Sequence, residues 1–115
     1  MTTRNESDYY APDWMGFDWS SWLSLDPADG EFSRVSTNPG IYRVRHLDRD
    51  GLTYIGQSGN LKSRLYKHRR NRDEELLFSY AIVDDGDAKH KREQIETDLI
   101  GAHWLANTKA PRDQF

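Results

Sequence analysis

The tripeptides Gly40-Ile41-Tyr42 and Tyr54-Ile55-Gly56 stand eleven residues apart, with the turn sequence Asp48-Arg49-Asp50-Gly51 between them. Ile41-Tyr42-Arg43-Val44-Arg45 alternates apolar or aromatic side chains with basic ones, as a half-buried strand does, and Leu52 to Gly56 reads as its partner. Strands joined by so short a polar connection pair antiparallel. Tyr42 and Tyr54 then lie on neighbouring strands. Gly40 and Gly56 serve the backbone, allowing a close approach that a side chain would block.

The remaining elements are arranged around this hairpin. Gln57-Ser58-Gly59-Asn60 leads into a helix capped by Asn60 or Ser58, in which Leu61 and Leu65, and likewise Arg64 and His68, repeat at i, i+4. Leu76 to Val83 reads as a third strand, Asp84-Asp85-Gly86-Asp87 as a turn and cap, and Ala88 to about Trp104 as a long second helix with Ile95, Leu99 and Ala102 on its buried stripe and Glu96 at the border. The order β-β-α-β-α implies an α+β domain, a small three-stranded, mainly antiparallel sheet flanked by helices. Upstream, residues 1 to 12 are polar and aperiodic, a tail ordered only if it docks. Trp14, Phe17, Trp19, Trp22, Leu23 and Leu25 then concentrate aromatic and apolar area, and Trp19, Trp22 and Leu23 fit one face of a short helix ended by Asp26-Pro27. Asp29-Gly30 and Ser36-Thr37-Asn38-Pro39 are turn-rich and separate an acidic, Trp-rich extension, residues 1–38, from a domain over 39–115. The aromatics are expected to cover the core. A homodimer or protein-partner surface is the other reading.

A chain of 115 residues supports one modest core. It has no cysteine, which excludes disulfides and thiolate metal sites and favours an intracellular, cytoplasmic location. No apolar run approaches the ~20 residues of a membrane span, so a soluble protein is expected. The formal net charge of −3 argues at first against a nucleic-acid partner, but its distribution does not. Residues 1 to 38 carry two basic and seven acidic side chains, whereas residues 61 to 72 carry Lys62, Arg64, Lys67, Arg69, Arg70 and Arg72 with no acid. One face is locally basic. His90 and His103 have no partners at metal-ligand spacing, so a zinc site is not expected.

In this order, with Arg64 and His68 on a basic helix and Glu96-Thr97-Asp98-Leu99-Ile100 behind, the two tripeptides resemble the signature of the GIY-YIG nucleases from roughly Pro39 to Asn107. The resemblance implies the GIY-YIG fold and an endonuclease that hydrolyses DNA phosphodiester bonds with Mg²⁺ or Mn²⁺ and no small-molecule cofactor. It assigns Glu96 as metal ligand, with Glu93 one turn earlier as the fallback. A single carboxylate is chemically sufficient, because Mg²⁺ keeps several of its waters. Arg64 matches the family's phosphate-contacting Arg, and its planar fork suits phosphate oxygens better than Lys would. Tyr42 and Tyr54 match the paired tyrosines, one as base or water-positioning group and the other as its hydrogen-bonding neighbour. A phenol, with a reference pKa of ~10, is a poor base at neutral pH, so Tyr42 acts as a phenolate only if its surroundings favour one and otherwise orients a water. His68 matches the Arg-x-x-x-His spacing of restriction-enzyme-like members, and its near-neutral pKa suits proton transfer. Asn107 falls close to an Asn that supports the site or binds phosphate. Lys62, Lys67, Arg69 and Arg70 complete the expected nucleic-acid face. The rival is a catalytically inactive module of the same fold that binds nucleic acid or a partner. A third reading makes the Trp-rich segment chiefly an interaction surface.

Overall fold

A computed structural model of the chain describes residues 5–24, 35–70, 76–83, 88–109 and 111, with the backbone alone for 68–70. Its elements run β1 (Leu23–Ser24), β2 (Gly40–His46), β3 (Tyr54–Ser58), α1 (Leu61–Arg70), β4 (Leu76–Ile82) and α2 (Lys89–Asn107). The sheet is antiparallel throughout, in the order β1-β4-β2-β3. It is an α+β fold, as expected, with a fourth strand that the periodicity did not indicate. The hairpin register sets Tyr42 opposite Gly56 and Val44 opposite Tyr54, and β3 begins two residues later than the alternation suggests. The expected turn over Asp84 to Asp87 and the residues Leu25, Asp26-Pro27, Asp29-Gly30 and Arg72 lie outside the described residues.

Alternation along β2 divides the core in two. Tyr42 and Val44 join Phe78, Leu61 and Leu65 on the α1 side. Ile41 joins Ile55, Ala81, Leu99 and Ala102 on the α2 side, together with Tyr9, Trp14, Met15 and Trp19 from the N-terminal segment. β2 is therefore not half-buried. Both faces are covered, and Arg43, expected to face solvent, is fully buried. Its guanidinium lies between two indoles, 4.4 Å from the Trp19 ring centroid and 4.6 Å from that of Trp22. Its Nη1 donates to the Tyr9 carbonyl at 2.7 Å. Burial pushes the pKa of Arg43 down, and contact with aromatic faces, worth ~2 kcal/mol or more each when desolvated, offsets part of the cost of burying the charge.

The expected helix over Trp19 to Leu23 does not form. The Ser20 N–H donates to the Tyr80 carbonyl at 2.7 Å, the Tyr80 N–H to Ser20 Oγ at 3.0 Å, and Ser79 Oγ to the Ser20 carbonyl at 2.7 Å. Leu23 and Ser24 then pair with Phe78 and Leu77. The open edge of β4 would otherwise present unpaired backbone groups, and extending along it satisfies them. Residues 5 to 12 also dock, so they are not a free tail. The Trp22 Nε1–H donates to the Tyr10 carbonyl at 3.2 Å, and the Tyr10 hydroxyl accepts the Gly51 N–H at 2.6 Å.

Asn60 caps α1, its Oδ1 accepting the Ser63 N–H at 3.1 Å. α2 runs back along the hairpin. Near its end, His103 Nε2 accepts the Leu52 N–H at 2.9 Å, which leaves Nδ1–H to donate to the Lys109 carbonyl at 2.8 Å. Burial pushes the His103 pKa down, in keeping with a neutral ring that fastens α2 to the hairpin. No described helix is long and apolar enough to cross a membrane.

Candidate active site

β3 is an edge strand, with α1 following it through only Gly59 and Asn60 and α2 packed along it on the other face. Side chains from both helices therefore meet around one strand edge. Tyr42, 1% exposed, reaches this edge from β2 by lying across Gly56. A Cβ at Gly56 would collide with the Tyr42 ring and hydroxyl, so the glycine is required by the tyrosine opposite it. Gly40 is equally constrained, because a Cβ there would strike the Ala81 carbonyl and Leu61.

Tyr54 stacks on Tyr42 with ring centroids 5.9 Å apart and planes at 24°, and the Tyr42 hydroxyl bonds to Tyr54. Burial pushes the Tyr42 pKa above the usual phenol range. Tyr54 reinforces that shift, Arg64 opposes it, and Glu96 reinforces it again. Tyr42 thus lies within charge reach of both Arg64 and Glu96, residues 22 and 54 positions away in sequence. With the chain's own charges it stays protonated at neutral pH, which suits a group that orients a water rather than one that removes a proton.

Glu96 is half-buried on α2 and accepts the Gln57 backbone N–H from β3. Burial raises its pKa and Glu93 adds to the rise, while the Gln57 hydrogen bond and Arg64 lower it. Arg64 is exposed in the first turns of α1. A half-buried carboxylate with a second carboxylate one turn away favours a counter-cation. Among the described residues no group of three His, Cys, Asp or Glu gathers, so the donors are one or two hard oxygens. That set fits Mg²⁺ or Mn²⁺ retaining its waters and does not fit structural zinc.

The other expected site residues are distributed unevenly. Lys62 is half-buried and Lys67 exposed on α1. His68, Arg69 and Arg70 continue the helix, but their side chains lie outside the described residues. Asn107 is not brought to the cluster. It lies over Gly51 beside His103, at the opposite end of the hairpin, about 16 Å from Glu96 along the α2 axis at 1.5 Å per residue.

Two residues of the site carry no signature of their own. Arg92, 7% exposed, donates from Nε to Gln57 Oε1 at 2.8 Å, one turn before Glu96 on the same face of α2. The sequence did hold a signal for it: Arg92 falls on the stripe that Ile95, Leu99 and Ala102 continue, where an apolar residue is expected. Gln57 has no such signal.

A model of the GIY-YIG catalytic domain family matches residues 38–103, which takes in both tripeptides, Arg64, His68 and Glu96 and stops short of Asn107. No curated protein and no solved structure gives a significant match to the chain.

Proposed function

Because the chain belongs to the GIY-YIG family, whose members are typically nucleases, we propose that it is a metal-dependent DNA endonuclease hydrolysing phosphodiester bonds. The carrying observation is that Tyr42, Arg64 and Glu96, from three different elements, lie within charge reach of one another at the β3 edge. Glu96, with Glu93 as a neighbour, would hold Mg²⁺ or Mn²⁺, which supplies positive charge to the scissile phosphate and the leaving oxygen.

Arg64 presents its fork to the non-bridging oxygens and stabilises the charge that grows on them as the bond to the leaving oxygen breaks. Protonated Tyr42, held by Tyr54, positions the attacking water by hydrogen bonding. His68 is the candidate for proton transfer, its place one helical turn after Arg64 being its support. Lys62, Lys67, Arg69 and Arg70 extend the cationic surface of α1 along the substrate backbone. A cysteine-free chain and a nucleic-acid substrate fit an intracellular site of action.

The net charge of −3 favours a second reading, a binding module of the same fold without turnover. A plasmid assay with added Mg²⁺ or Mn²⁺ separates the two. Nicked or linear product from the parent and none from Glu96→Ala supports the nuclease. Intact plasmid with bound protein supports the module.

A further inference from the structure

We propose that Arg92 is a positioning residue that aims the Glu96 carboxylate by pinning Gln57. Gln57 takes part in two bonds at once: its side-chain Oε1 accepts the Arg92 Nε–H at 2.8 Å, and its backbone N–H donates to Glu96. Nη2 of the same guanidinium abuts Gly59, 3.4 Å from where a Cβ would stand, at the turn that starts α1. Arg92 therefore ties α2 to the end of β3, beside the turn from which α1 starts.

Ordinary stability does not account for this residue. Arg92 ends a first turn of α2 that reads Lys-His-Lys-Arg without an acid, where the helix dipole disfavours cations. It is more than nine-tenths buried, and its Nη1 has no hydrogen-bond partner among the described residues. An apolar side chain on this stripe would avoid both costs. What it would lack is the bond to Gln57, and groups that orient a metal-binding side chain typically change metal affinity or activity by ~10–100-fold.

The proposal rests on Glu96 being the metal ligand, and the test separates the two claims. Mn²⁺ alone is titrated calorimetrically into the full chain as parent, Arg92→Ala, Gln57→Ala, the double variant and Glu96→Ala, and kcat and KM for plasmid cleavage are measured alongside. Arg92→Ala is expected to lose ~10-fold or more in Mn²⁺ affinity or in kcat, with KM for DNA within a few-fold of the parent. Gln57→Ala should lose as much, the double variant should be no worse than either, and Arg92→Lys should recover part by keeping one donor. A folded Arg92→Ala with the parent's Mn²⁺ affinity and kcat overturns the proposal, as does a double variant that loses the product of the single losses. If Arg92→Ala does not fold, Gln57→Ala and Arg92→Lys carry the same comparison. Glu96→Ala that binds Mn²⁺ like the parent removes the metal assignment itself. Loss of Mn²⁺ in Glu96→Ala with full retention in Arg92→Ala removes only the role of Arg92.

Discussion

Tyr42 lies across Gly56, its partner in the β2–β3 register, and occupies the space that a Cβ at that glycine would take. The last residue of the second tripeptide is thus fixed by the last residue of the first. Gly56→Ala should displace the ring, costing ~1–3 kcal/mol as overpacking in a tight core does, and should lower kcat through the moved hydroxyl. Denaturant unfolding and plasmid cleavage check this. Unchanged stability with full activity would contradict it.

Glu96 makes stability depend on pH with a defined sign. Its folded-state pKa is raised above the ordinary 4.5, mainly by burial, so between that value and the raised one the folded chain holds more protons than the unfolded chain. Stability contributed by the protonated form is complete below 4.5 and is lost as pH rises through the folded pKa. Glu96→Gln should therefore melt higher than the parent at neutral pH without metal, and the gap should close below pH 4.5. Mn²⁺ should raise the parent's melting temperature and leave the variant's unchanged. The opposite ordering at neutral pH would contradict the burial of this carboxylate.

Trp19 closes the stack over Arg43 and belongs to the core. Trp19→Ala should cost ~3–5 kcal/mol, because it leaves a cavity and strips a face from a buried cation. The loss should not depend on protein concentration, as it would if Trp19 served an interface between copies. Chemical unfolding at two concentrations distinguishes these outcomes.

DNA affinity should fall with salt, each neutralised phosphate adding ~0.9 to the log–log slope for duplex DNA. Lys67→Ala should lower that slope and weaken binding modestly, without altering which sequences are cut, because phosphate contacts do not read bases. A flat salt response would move the substrate away from α1.

What the sequence made legible follows from where local pattern and tertiary demand agree. The hairpin, α1, β4 and α2 each carry their own period and turn residues, and Leu61, Leu65, Leu99 and Ala102 are buried as that period requires. The burial of Trp14 and Trp19 was legible from their area, but the extended path after Trp19 was not, because nothing local tells Ser20 to Ser24 that an open edge of β4 awaits them. Arg43 was misplaced for a related reason: alternation assigns a basic residue to solvent, and only the distant Trp19 and Trp22 make its burial tolerable. At the site, Tyr42, Arg64 and Glu96 converge although they are remote in sequence. Asn107 does not join them, because the helix that carries Glu96 takes it to the other end of the hairpin. Arg92 was visible only as a charge on an apolar stripe, and Gln57 was not visible at all.

Removing Arg64 should affect turnover more than binding, because a group that acts on the charge growing at the phosphate is needed most in the transition state. The measurement is single-turnover plasmid cleavage by Arg64→Ala at saturating protein with Mg²⁺ or Mn²⁺, with DNA affinity determined on the same preparation. A rate loss of ~10²-fold or more is expected, as for removal of one preorganised donor, with affinity within a few-fold of the parent and little recovery in Arg64→Lys. A parent that cuts no DNA with either metal, or an Arg64→Ala whose rate falls only as far as its affinity, would contradict it.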